Sequence, residues 1–116
     1  MKLTKRQIQP GIVVLEIEGI ISMGDDCDRI DQEVQHEIER NQKCVIFDLT
    51  GVNYIDSIII GEIVKCYSSV RRSGGILRLA GLNAMVYGVL KITHIDKVIE
   101  IYPTALDAAE ALLPQP

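Results

Sequence analysis

A chain of 116 residues fits one domain, able to bury roughly two-thirds of the surface its unfolded form exposes. Hydrophobic residues make up 47% and aromatic residues only 4%, so the core is expected to be Ile, Val and Leu, with little room for a stacking platform for single-stranded nucleic acid. The formal net charge of −4 argues against a phosphate-backbone binder, and one segment carries the imbalance: residues 24–43 hold seven acids against three bases, the remainder nine of each.

Residues 2–8 read as an edge strand, with Lys2, Lys5 and Arg6 supplying the charge that exposed edges carry. Gln9-Pro10-Gly11 is a turn, and Ile12 to Ile17 form a more apolar strand, so an antiparallel hairpin is the economical start. Gly19 to Gly24 make a loop ending in the acidic pair Asp25-Asp26, either of which can cap the next helix. Cys27, Ile30, Val34 and Ile38 then recur at three or four residues, one narrow apolar stripe opposite an acidic, solvated face.

Cys44 to Leu49 is a short apolar run bounded by Thr50-Gly51, the pattern of a central strand buried on both faces. Asp48 inside it needs hydrogen bonds near the strand end, because a buried carboxylate without partners is costly. Helical spacing resumes after Asp56, with Ile60, Ile63, Val64 and Tyr67 on one stripe and Ser73-Gly74-Gly75 as the stop after Arg72. Ile76 to Ala80 is the next strand, and Gly81-Leu82-Asn83 leads to a shorter helix, Ala84 to about Ile92, weakened by Gly88. Val98 to Ile101 reads as a last strand. Thr104, with Asp107 three residues on, opens a final helix to about Leu113, and residues 114–116 read as a frayed tail. Alternating strands and helices after the hairpin imply parallel pairing with right-handed crossovers, hence an α/β fold with a mixed sheet in a single domain over residues 1–113.

Cys27, Cys44 and Cys66 are odd in number, widely spaced and without a Cys-x-x-Cys pair, which supports neither a disulfide framework nor a zinc site; free thiols in a reducing cytosol are expected. There is no apolar leader at the N-terminus and no run of about 18 apolar residues, so the expectation is a soluble, cytoplasmic protein. His36 and His94 have no Cys, Ser or carboxylate at a spacing that suggests a triad or metal set, and no phosphate-binding Gly-Lys loop is present. Catalytic residues, metal ligands and cofactors are therefore not assigned.

The chemistry concentrates at Asp56-Ser57, two good N-cap residue types side by side. A hydroxyl there lies at the positive end of the following helix, where free N–H groups and the dipole accommodate a phosphate. By itself, Asp-Ser before a helix is most often only a cap.

The string Val52-Asn53-Tyr54-Ile55-Asp56-Ser57, following a hydrophobic strand and Asp48-Leu49-Thr50-Gly51, resembles the signature of STAS domains. That family comprises anti-sigma-factor antagonists and the cytoplasmic tails of sulfate transporters. The likeness extends over nearly the whole chain, taking in Ala80-Gly81-Leu82, Thr93-His94-Ile95 and the run from Tyr102 to Ala109. It implies a mixed sheet with about four helices mainly on one side. In the family, the serine directly after the aspartate is phosphorylated by a partner kinase, and that position here is Ser57.

The resemblance further implies an anti-sigma-factor antagonist without catalysis of its own. Such a protein binds an anti-sigma factor with serine-kinase activity while Ser57 is bare, leaves it when Ser57 is phosphorylated, and is reset by a phosphatase. It would bind neither nucleic acid nor membrane directly and would be a monomer or weak homodimer. The implied binding surface combines Asp25, Asp26, Asp56, Ser57 and Ile58. Where the family continues with Ser or Thr and then Gly, this chain has Ile58 and Ile59. Three consecutive isoleucines cannot all face a core from one helix. Ile60 matches the family's buried position, so Ile58 is expected to be exposed and to touch the partner, the other reading being that it tucks under residues 22–26. The same departure sustains an alternative: a phosphorylation-independent scaffold subunit of a stressosome-like assembly.

Overall fold

Pro10 and Gly11 turn the chain between β1 (Lys2–Gln9) and β2 (Ile12–Glu18), which pair antiparallel, and Gly11 holds the positive φ of 86° that the turn requires. The computed structural model describes residues 1–111, so the expected end of the last helix near Leu113 and the tail at 114–116 lie outside the described residues. β3 (Cys44–Gly51) lies parallel to β2, β4 (Ile76–Ala80) parallel to β3, and β5 (Ile101–Tyr102) parallel to β4, giving the order β1-β2-β3-β4-β5. Helices α1 (Asp25–Glu39), α2 (Ser57–Arg72), α3 (Ala84–Ile92) and α4 (Ala105–Glu110) fill the intervals, with a 3-10 turn at Ile95–Lys97. This is the mixed α/β sheet that the pattern of runs and turns implies.

Alternation along each strand divides the core. Val13, Leu15 and Ile17 of β2, Val45, Phe47 and Leu49 of β3, and Leu77 and Leu79 of β4 pack against α1, α2 and α3 on one face. The intervening residues Ile12, Val14, Cys44, Ile46, Ile76 and Ala80 meet Ala105, Ala108 and Ala109 of α4 on the other. Three helices thus cover one face and one short helix the other. All three cysteines are free and buried.

The second face also buries Arg78 completely, a charge that needs partners. Its Nε donates to Glu100 Oε1 at 2.6 Å, and its Nη1 donates to the carbonyls of Ala108 and Ala111 at 2.9 and 3.2 Å. The guanidinium lies 5.4 Å from the Tyr102 ring centre. A cation at the last carbonyls of α4 complements the helix dipole and fastens the helix to the sheet.

The structure departs from the sequence expectations in four places. The last strand is Ile101–Tyr102 and not residues 98–101, because Val98 closes the 3-10 turn by donating to the Ile95 carbonyl and Ile99 turns into the core. The buried stripe of α2 is Ile59, Glu62, Ile63, Cys66 and Val70, whereas Ile60 and Tyr67 are half-buried and Val64 is exposed. On α1 the polar face is not wholly wet: Glu37 is fully buried, held by Lys5 Nζ of β1 at 3.2 Å, Gln42 Nε2 at 3.0 Å and Arg40 Nη1 at 3.6 Å. Finally, neither Asp25 nor Asp26 caps α1, which begins after Gly24 with no side-chain cap.

Candidate functional site

The parallel strands β2, β3 and β4 all end at one edge of the sheet, and the loops leaving them are tied together there. Gly19 N–H donates to the Gly51 carbonyl at 2.9 Å, joining the first loop to the second. Asn83 Nδ2 reaches the Val52 carbonyl at 3.5 Å and Asn53 Oδ1 at 3.4 Å, joining the third to the second. Asp48, half-buried near its strand end as expected, accepts from Thr50 N at 3.0 Å and Thr50 Oγ1 at 2.6 Å. Gly81 passes so close to this pair that a Cβ would strike Thr50 Oγ1, and its φ of 75° suits glycine alone.

The helix that leaves the central loop is capped by Asp56. Its extended backbone, φ −129° and ψ −176°, aims the carboxylate at the first turn, and Oδ1 accepts from Ile58 N at 3.0 Å and Ile59 N at 3.1 Å. Ser57 is then the first helical residue and is exposed, and among the described residues its hydroxyl has no hydrogen-bond partner. Ile58 is 45% exposed, as expected, while Ile59 rather than Ile60 enters the core.

The neighbouring helix places Asp25 exposed at its first position and Asp26 half-buried at its second. Asp26 Oδ2 accepts from Ser22 Oγ at 2.7 Å and from Ser22 N at 2.8 Å, and these two hydrogen bonds hold its carboxyl below the usual carboxylate range. Asp26 therefore braces the loop over residues 19–24. The fold brings all five residues singled out from the sequence to helix starts at one edge.

The sequence places Tyr54, with Asn53, in a loop bordering the site, whereas the apolar residues Ile20, Met23 and Met85 carry no such reading. Ile20 is 77% exposed and Met23 72%, both on the β2–α1 loop; Tyr54, on the β3–α2 loop, and Met85, in the first turn of α3, are exposed too. Other exposed large apolar side chains, Ile92, Val98 and Leu106, lie outside these loops and helix starts. A signal was present in the Ile20-Ile21 doublet inside a glycine-bounded loop: only Ile21 is buried. Away from this edge, the ligating atoms of Glu33, His36 and Glu37 lie within 4.8 Å of one another, so His36 does have carboxylates beside it, although Lys5 and Arg40 already neutralise Glu37. Among the described residues no helix is long and apolar enough to cross a membrane.

Comparison with known proteins decides the family, because the STAS domain matches residues 4–108. The chain belongs to the STAS domain family. A candidate anti-sigma factor antagonist of Thermotoga maritima is 39% identical over 62 residues, 53% of this chain and 55% of that protein. This STAS chain thus spans little more than half the length of that relative in the match. The anti-sigma F factor antagonist of Paenibacillus polymyxa is 21% identical over 103 residues, 88% of this chain and 87% of that one. Among solved structures, TM1081 from Thermotoga maritima superposes with a TM-score of 0.77 at 27% identity, covering 93% of this chain and 92% of that one. The Bacillus cell fate determinant SpoIIAA, solved in its phosphorylated form, superposes with a TM-score of 0.73 at 13% identity, covering 94% and 97%, and shows the same fold.

Proposed function

We propose that this STAS protein is an anti-sigma-factor antagonist, a docking switch whose partner is an anti-sigma factor with serine-kinase activity. The observation that carries the reading is the division of labour at the start of α2. Asp56 already satisfies two of the free amides, so the exposed Ser57 hydroxyl is left for another chain to use. Around it, Ile20, Met23, Tyr54 and Ile58 offer apolar area to bury, and Asp25 offers a charge for a basic partner residue. Asp56 and Asp26 hold the two loops in shape. The names of the relatives support an antagonist over a scaffold.

In this reading the partner transfers the γ-phosphoryl group of ATP to Ser57 Oγ, which gives up its proton, and a phosphatase later restores the hydroxyl by hydrolysis. The phosphate adds about −1.5 to −2 charges and three acceptor oxygens. The α2 amides tolerate this in the free protein. Buried among apolar side chains against a partner, it costs several kcal/mol, enough to separate the complex.

The test is to recover partners with wild type, S57A and S57D and then add ATP with magnesium. Wild type should gain one phosphoryl group on Ser57 and leave its partner, while S57A should stay bound. An unmodified wild type together with an S57D that binds as tightly as S57A would sink the switch.

A further inference from the structure

Beneath the docking edge, α1 and α2 face each other across a carboxyl pair. Asp31 on α1 is half-buried and Glu62 on α2 is only 9% exposed, with their carboxylate oxygens and Cys66 Sγ all within 4.8 Å of one another. The Cys66 thiol lies 3.3 Å from Glu62 Oε2 and 3.8 Å from Asp31 Oδ1. One cation is present, Lys65, whose Nζ donates to Asp31 Oδ2 at 2.9 Å. Toward the sheet, Glu62 lines a small cavity whose other walls are apolar, Ile17, Phe47 and Leu49 of β2 and β3 among them. The titratable and charged groups that face it are therefore Cys27 and Asp31 from α1, and Lys65 and Cys66 from its own helix.

Two carboxylates beside one ammonium leave an excess buried negative charge if both ionise. A proton placed between them turns that repulsion into a hydrogen bond. We infer that Asp31 and Glu62 share a single proton across the α1–α2 contact, a clasp that ties the two helices while the proton is held and opens when it leaves. Burial, then the neighbouring Asp31, pushes the Glu62 carboxyl up to about 7. Partial burial works to raise Asp31, but hydrogen bonds from Glu62 and Lys65 hold it below the usual carboxylate range. Burial, reinforced by Glu62, pushes the Cys66 thiol far above its ordinary range, so it stays a neutral S–H donor beside the two carboxylates.

The clasp lies under the docking residues. Asp25 precedes Asp31, and Ser57 precedes Glu62, by about one and a half helical turns, so opening it shifts two helix starts at the same edge. That consequence for docking rests on the function proposed above; the clasp itself does not. Because Glu62 binds its proton more tightly in the folded chain than in the unfolded one, its stabilisation is complete below the ordinary glutamate range, about 4.3, and is lost as the pH rises through about 7. The opposite contribution of Asp31 is lost only as the pH falls through its own lowered range, outside that window.

The experiment follows the Glu62 carboxyl carbon by NMR in wild type and D31N, and melts wild type and E62Q between pH 5.5 and 8.5. Glu62 should titrate near 7 in wild type and move toward the ordinary range in D31N. The wild-type melting temperature should fall by about 5 °C across the window, while E62Q, which keeps a donor toward Asp31, should stay flat and exceed wild type at the alkaline end. A Glu62 that titrates in the ordinary range, or an E62Q that declines in parallel with wild type, overturns the clasp. Should E62Q fail to fold, the wild-type titration decides alone. A Glu62 that titrates near 7 beside a partner that binds at no pH supports the clasp and overturns the docking function.

Discussion

Helices α1 and α2 leave adjacent parallel strands at the same edge, and each opens on a polar pair, Asp25-Asp26 in one and Asp56-Ser57 in the other. Their starts are nevertheless built in opposite ways. In α2 the residue before the first turn is Asp56, extended, and its carboxylate receives two helix amides. In α1 that place belongs to Gly24, with φ 89° and no side chain to offer, and Asp26 turns back to hold Ser22. Which acid caps a helix is thus decided by the backbone one residue upstream, not by which acids are nearby. Capping is settled at α2 without the serine, whose hydroxyl has no hydrogen-bond partner among the described residues, whereas at α1 the acid is spent on stiffening a loop.

The largest expected effect breaks this comparison at Ser57. Phosphorylation there should weaken binding of the anti-sigma factor by about 100-fold or more, several kcal/mol in a titration calorimeter. S57A should leave stability within about 0.5 kcal/mol in urea unfolding, since no hydrogen bond is lost. Next comes the cap: D56A should cost about 1–2 kcal/mol in the same measurement, because two amides of α2 lose their acceptor. Ile58→Ser should reduce partner affinity by about tenfold with little change in stability, the mark of an apolar contact made only in the complex. The smallest effect belongs to D26A, which should speed amide exchange at residues 19–24 and destabilise less than D56A. In wild type the brace that Asp26 supplies should be present at neutral pH and be lost as the pH falls through its depressed range. Equal destabilisation by D26A and D56A would mean that the two starts are built alike after all.

Much of this molecule was legible before folding. Strand β4 and helices α2 and α3 begin and end where the runs and their Gly, Ser and Asn punctuation place them, and Thr104 accepts from Asp107 N as the capping pattern suggests. The place of Ser57 at a helix start was equally readable. The apolar rim was not, because Ile20 and Met23 look like core residues until the loop around them is fixed by Asp26 and Gly51.

What the amino-acid order determined by itself was the kind and extent of most elements, since periodicity and turn chemistry act between residues a few places apart. The tertiary structure alone decided how far each helix is rotated about its axis. Ile59 and not Ile60 is buried, and Glu62 faces inward, because α2 must satisfy the sheet on one side and α1, with its Asp31, on the other. Likewise the buried Glu37 is held by Lys5, which comes from the hairpin far away in the chain, as well as by its near neighbours Arg40 and Gln42. Such choices rest on partners distant in the chain, and no local pattern carries their positions.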